Sequence, residues 1–155
     1  REAEHMSATD ALTGLLNRRG FEAEFREFVP VGNSHELAVA ALDLDLFKDV
    51  NDRFGHAAGD DVLVAVADAL KTGVRRGDIV ARTGGDEFLL LVPHIRPGEH
   101  VIQRVREAAA SARVEGYPEL ELSASVGGVC GVHPLTEAIR QADVKMYQNK
   151  AERKN

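Results

Sequence analysis

The chain has 155 residues, 44% of them hydrophobic and 28% charged, with a formal net charge of −6. That length suits one domain with a sizeable core, and the acidic balance argues against a binder of nucleic-acid polymers, which would carry a basic face. It leaves room for a single nucleotide held through a divalent metal, because the metal brings its own positive charge. Cys130 is the only cysteine, so no intrachain disulfide can form. A reducing, cytoplasmic setting is the natural inference, with Cys130 read as a small core residue. No apolar run reaches the roughly 20 residues of a membrane span and no signal peptide is visible. A cytoplasmic domain of this kind is still compatible with a longer, membrane-attached parent.

Residues 1–9 read as the end of a connecting helix, which puts the domain proper at 10–155. The spacing of Phe21, Phe25 and Phe28 predicts a helix over 18–28 whose aromatics serve core packing. A loop is expected at 30–34. Residues 36–45 carry the apolar run LAVAAL into Asp43-Leu44-Asp45, the pattern of a strand buried on both faces. Asp43 and Asp45 share one side of it. Acids at the end of a buried strand can reach a metal without charging the core. Taken alone, such a pair is more often just solvated.

A short helix is predicted over 46–55, closed by Gly55 as its C-cap. Its first amides and its dipole favour an anion such as phosphate. Lys48 would add a point charge there, although a surface lysine is the plainer reading. A second helix follows over 57–73, with Val62, Val66, Ala69 and Leu70 on its inner face. Asp60, near its start, either caps it or accepts two hydrogen bonds from a guanine edge, with Asn51 offering a donor and an acceptor.

Residues 78–91 read DIVARTGGDEFLLL. Two apolar strands, 79–82 and 88–91, flank Gly84-Gly85, a pair suited to positive φ in a two-residue hairpin turn. Asp86 and Glu87 follow that tip at once. Adjacent acids sit badly in an apolar strand unless a cation matches them. Glycines beside acids therefore suggest a close phosphate or backbone together with a metal, against the alternative of an exposed polar tip. Beyond the hairpin a helix is expected over 97–114, with Val101, Ile102, Val105 and Ala109 inward. A strand follows over 120–129, then a helix over 135–150 with the buried stripe Leu135, Ile139, Ala142 and Met146. Lys150 and Lys154 continue that stripe by fours, placing two amines where a polyphosphate would bind or where cations commonly end a helix.

The segments DALTGLLNRRGF at 10–21, LDLDLFKDVNDRFGHAAGDDVL at 42–63, RTGGDEF at 82–88 and ADVKMYQNKA at 142–151 occur in this order. With them the chain resembles the GGDEF family of diguanylate cyclases over nearly its whole length. The resemblance implies an α/β (α+β) fold with a central, mostly antiparallel five-stranded sheet surrounded by helices, similar to the palm of nucleotide cyclases. It implies condensation of two GTP into cyclic di-GMP with release of pyrophosphate, one GTP per domain, across a homodimer. Two Mg²⁺ (or Mn²⁺) ions per site would be held by Asp43, the Leu44 carbonyl and Asp86, with Asp86 and Glu87 as the catalytic acids. Leu46, Phe47, Lys48, Gly84, Gly85, Lys150 and Lys154 would meet the substrate's phosphates, while Asn51 and Asp60 would read guanine. Neighbouring strand residues face opposite ways, so Asp86 and Glu87 are expected to divide the work, one at the metals and the other elsewhere.

Arg75-Arg76-Gly77-Asp78 matches the family's RxxD inhibitory site in its distance before the glycines. By resemblance Arg75 and Asp78 would bind cyclic di-GMP, with Arg106 assisting, and a sensor domain would precede the chain in the full-length protein. Two departures stand out: Lys154 replaces a frequent arginine, keeping the charge without the bidentate fork, and Thr83 replaces a frequent aromatic. The competing readings are a silent module that binds GTP or cyclic di-GMP and signals to a partner, and a cyclase of different base preference. Retention of Gly84, Gly85, Asp86, Glu87 and Asp43 favours the enzyme.

Overall fold

A computed structural model describes residues 7–28, 37–95, 98–131 and 134–154, with residue 154 described by its backbone alone. The element order is α1 (Arg18–Phe28), β1 (Ala38–Leu44), α2 (Phe47–Phe54), α3 (His56–Gly73), β2 (Ile79–Gly84), β3 (Glu87–Val92), α4 (Val101–Ala110), β4 (Ala124–Cys130) and α5 (Leu135–Lys154). The loop expected at 30–34, the strand start at residue 36, the helix start at residue 97 and most of the expected connecting segment fall outside the described residues. Ser7 to Thr9 are described, and there Thr9 bridges Leu16.

The strands form one antiparallel sheet in the order β2-β3-β1-β4. Among the described residues it has four strands, not five. The four are the strands the residues themselves predict, and the fifth was implied only by the resemblance; β4 is shorter than expected, its pairing starting at Ala124 rather than at residue 120. Leu120 and Leu122 pack on the core instead.

β1 is buried along its whole length, as the unbroken apolar run requires. Its even-numbered residues Ala38, Ala40, Leu42 and Leu44 face α3 and α4, where Val62, Val66, Leu70, Val101 and Val105 complete one core. Its odd-numbered residues Val39 and Ala41 face α1 and α5, meeting Phe21, Phe25, Ile139, Ala142 and Met146. Each of the Val, Leu, Ile, Phe and Met side chains among them contributes on the order of 1.5–3 kcal/mol by leaving water, an alanine methyl roughly 0.8 kcal/mol. Two-sided burial leaves charge no place except at the strand's end. Asp43 opposes Glu87 on β3 and Ser125 on β4, so the first acid of the site stands at the centre of the sheet's edge.

Cys130 corrects an expectation. It is exposed, at the end of the outer strand, where it borders an apolar cleft beside His100 and Ile102. Among the described residues, no helix is long and apolar enough to cross a membrane.

Candidate active site

The signature hairpin turns one residue later than the sequence suggests. Gly84 pairs with Glu87 across the hairpin, after an irregularity between Arg82 and Gly84. The two turn residues are therefore Gly85 and Asp86, and Gly84 belongs to β2. Gly85 takes φ 49°, which suits glycine, and an added Cβ would meet nothing within 4 Å. Conformation, not crowding, demands glycine there. Asp86 is thus a turn residue, and strand alternation does not govern it.

That placement lets Asp86 lie against the end of β1. Its backbone carbonyl accepts a hydrogen bond from Leu44 at 3.3 Å. Burial, then hydrogen bonding to Asp43 and repulsion from it, raise the Asp86 carboxyl to about 7, against a smaller lowering by Lys150. Asp43 is 8% exposed, and its Oδ2 accepts from the Lys150 ammonium at 2.8 Å. Its Oδ1 is buried without a partner. Burial alone would lower the Lys150 amine, but its hydrogen bond to Asp43 and the charges of Asp43, Asp45 and Asp86 raise it. Lys150 is the cation around which these acids are arranged.

Glu87 has different neighbours. It borders a narrow crevice with Arg18, Thr83 and Asp143, and burial followed by repulsion from Asp143 and Asp43 raises its carboxyl. Asp143 is raised by burial and by Asp43, with Arg18 opposing. The two signature acids therefore flank Asp43 in separate environments.

On the other side of Asp86 is a cleft of about 430 Å³ lined by Leu44, Leu46, Phe47, Lys48, Lys150 and Arg153 among others. Leu46 takes φ 61° and is 69% exposed. A left-handed, exposed leucine just before α2 is strained, and it turns the chain so that the first residues of that helix line the cleft. Lys48 reaches outward and pairs with Asp52 at 3.1 Å. Phe47 and Asn51 are four apart and share one face of α2. An added Cβ on Gly59 would stand 1.9 Å from Asn51 Oδ1, so glycine is what admits the Asn51 amide against α3. Asp60 is the next residue. It is exposed and lies in the first turns of α3, four residues past the helix start at His56, so it does not cap the helix.

Ser123, Ser125 and Arg153, which surround Asp45 at this edge, escaped the sequence reading. Asp45 accepts from Ser123 Oγ and Ser125 Oγ, each at 2.7 Å, and pairs with Arg153 at 3.1 Å. Arg153 is three residues beyond Lys150 and so lies on the same helix face, a spacing that would have exposed it. The serines carry no such signal, because only strand register brings them opposite β1. The Lys154 side chain is outside what the structure describes.

The oxygen-only donors of Asp43, Asp86 and the Leu44 carbonyl suit a hard divalent cation, and the unpartnered Asp43 oxygen is where one would be felt most. Among the described residues, no three His, Cys, Asp or Glu side chains gather into a metal cage. Two carboxylates nevertheless match the way Mg²⁺ is held, by few protein ligands with waters and substrate phosphates completing the shell.

The RxxD segment lies before β2, six residues from Gly84 or about 20 Å along the strand. Asp78 is 3% exposed in its side chain and accepts from the Arg75 amide at 3.0 Å. Arg75 pairs with Glu99 at 3.1 Å and donates to the His94 carbonyl at 2.7 Å. The second arginine of the cluster is Arg104, 3.5 Å from Asp78 and also paired with Glu99. Arg106, expected here, instead donates to Asn149 of α5 at 3.2 Å. Residues two apart on a helix do not share a face, and the register of α4 turns Arg104, not Arg106, toward the loop.

The family profile described as "Diguanylate cyclase, GGDEF domain" matches residues 7–155. The chain is 34% identical over 162 residues to the diguanylate cyclase DgcM of Escherichia coli (strain K12), covering 99% of this chain and 38% of that protein. It thus spans well under half the length of this curated relative. Among solved structures it is similar to the diguanylate cyclase SiaD from Pseudomonas aeruginosa in complex with its activator SiaC, at TM-score 0.84 and 35% identity, covering 97% of this chain and 61% of that one. It is also similar to the coiled coil and GGDEF domain of DgcB from Caulobacter crescentus in complex with c-di-GMP, at TM-score 0.81 and 25% identity, covering 97% and 84%. The chain belongs to the GGDEF, diguanylate cyclase, family.

Proposed function

We propose that this domain condenses two GTP into cyclic di-GMP, releasing two pyrophosphates, with each of two facing copies holding one GTP. The observation that carries the reading is the apposition of Asp43 and Asp86, a repelling acid pair whose unpartnered Oδ1 calls for a cation, beside Lys150 and the start of α2. Asp43, Asp86 and the Leu44 carbonyl would hold Mg²⁺ or Mn²⁺, two ions being the expectation. Held by these residues, a divalent cation would supply charge neutralisation at the α-phosphate and a lower pKa for the attacking 3′-hydroxyl.

The chain's own groups account for the rest. Lys150 and Arg153 contribute positive charge to the phosphates, with Lys48 swinging in from its exposed pair with Asp52. The amides of Phe47 and Lys48, after the Leu46 turn, receive phosphate oxygens. Gly84 and Gly85 leave room above the turn. Asn51 and Asp60 read the guanine edge, and Glu87 acts apart from the metals, on its own side of Asp43. A second copy, facing this one, would supply the other nucleotide. Arg75 and Asp78, with Arg104 beside them, form the site for inhibitory cyclic di-GMP, and a sensor domain elsewhere in the full-length protein would set the pairing of domains.

The test is incubation of the purified chain with GTP and Mg²⁺ at several protein concentrations, with products separated and identified by mass. Cyclic di-GMP forming faster than in proportion to protein supports the reading. No product from nucleotide-free protein at high concentration replaces it with a silent binding module.

A further inference from the structure

The carboxamide of Asn149 occupies an unusual place. β4 is an outer strand of the sheet, and its Val126 N–H donates to Asn149 Oδ1 at 3.0 Å. Arg106, from α4, donates to the same oxygen at 3.2 Å. Two donors converging on one atom leave no doubt which end of the amide faces them. Arg106 Nε is buried without a hydrogen-bond partner, while its outer nitrogen reaches Asn149 Oδ1 from the wall of the cleft that Arg106 lines with His100 and Ile102.

Asn149 precedes Lys150, and the contacts close a ring. Asp43 on β1 pairs with Ser125 on β4. Val126 follows and bonds Asn149; Lys150 follows and bonds Asp43. Beyond it Arg153 holds Asp45. Among the described residues, three polar contacts join the last turns of α5 to the sheet edge, beside the packing of Met146, and two of the three end on carboxylates of the cleft. Those two are the ones a substrate disturbs. Once Asp43 turns to a cation and Lys150 and Arg153 turn to phosphate, neither ion pair still ties α5 to the sheet. The Asn149 contact uses a backbone amide that substrate does not compete for, and it survives.

We propose that Asn149, braced by Arg106, is a positioning residue for Lys150. It keeps the end of α5 against the outer strand while Lys150 exchanges Asp43 for the phosphates of GTP. Arg106 is then a support for the active cleft, and not a member of the Arg75–Asp78 cluster. This inference rests on the reading of the cleft as a GTP site.

The experiment combines amide hydrogen exchange at Val126 with calorimetric titration of a non-hydrolysable GTP analogue in Mg²⁺, on the whole chain and its Asn149→Ala, Arg106→Met and Asn149→Asp variants. Asn149→Ala and Arg106→Met should speed exchange at Val126 and weaken the analogue by about tenfold, the scale of losing a supporting group behind a ligand. KM for GTP should rise with much less change in kcat. Asn149→Asp keeps the acceptor oxygen for both donors and should behave like the wild type, which also covers the case of an alanine variant that does not fold. Faster Val126 exchange with unchanged analogue affinity would reduce the contact to edge protection and overturn the positioning role. Unchanged exchange would overturn the contact itself. A wild-type chain that does not bind the analogue would instead sink the reading of the cleft, and with it the substrate half of this inference.

Discussion

Arg82 donates to Asp10 Oδ1 at 2.8 Å while its Nε donates to the Gly85 carbonyl at 2.9 Å. One guanidinium thus joins the turn that enters the domain to the turn that carries Asp86. The other Asp10 oxygen accepts from the amide and hydroxyl of Thr13. Replacing Asp10 by alanine leaves partly buried donors without partners and should cost about 1–3 kcal/mol in urea denaturation. Turnover should fall with it, because the Gly85 turn loses its brace.

The same carboxylate sets an acid sensitivity. Burial would raise the Asp10 carboxyl, but the Thr13 hydrogen bonds and the Arg82 charge outweigh it and hold it below its ordinary value. A group lowered in the folded state contributes stability above its unfolded pKa, and that contribution is lost as pH falls through the folded one. Asp10→Asn should therefore show a smaller loss of denaturation midpoint than the wild type when the buffer is taken below about pH 4. Identical acid profiles would remove Asp10 from the account.

Asp86→Ala separates chemistry from stability. In metal-free protein the change removes a carboxyl raised to about 7 by burial and by Asp43, so the melting temperature should hold or rise. Turnover should drop by more than about a hundredfold, beyond what losing even an outer-shell group costs. Added Mg²⁺ with GTP should stabilise the wild type and not the variant. Retained activity would displace Asp86 from the metal site.

Base choice is tested at Asp60. Asp60→Ser withdraws an acceptor from guanine's paired donors and should lower the GTP-over-ATP preference in kcat/KM by roughly tenfold or more. An unchanged ratio would take base reading away from Asp60.

Product binding should follow geometry at α4. Arg104→Ala breaks contacts to Asp78 and Glu99 and should weaken cyclic di-GMP binding, measured by titration, far more than Arg106→Ala. The reverse order would restore Arg106 to the inhibitory cluster.

Much of this was legible because burial writes itself into composition. The run LAVAAL marks a strand covered on both faces, and β1 is such a strand. The stripe Ile139, Ala142 and Met146 marks the buried side of α5, and Lys150 follows on it. Less legible were features set by pairing. Whether Asp86 belongs to a strand or a turn depends on Gly84 opposing Glu87, and register leaves no mark in residue type. Arg104 and Arg106 differ by two positions, and only the orientation of α4 decides which one meets Asp78. Cys130 looks like core by type, but its place at the end of an outer strand exposes it.

The turn position of Asp86 has a consequence for variation. In a strand, lengthening a side chain or shifting it by one residue disturbs a packed neighbour or sends it to the opposite face. At a hairpin tip the register penalty is absent and the packing one is confined to the end of β1, so an aspartate-to-glutamate exchange there should leave the strands beneath in register. Asp43 has no such latitude, wedged between β3 and β4. Across sequences built on this sheet, drift should therefore gather at the tip and spare the strand end, with the chemistry adjusted from outside a scaffold that does not move.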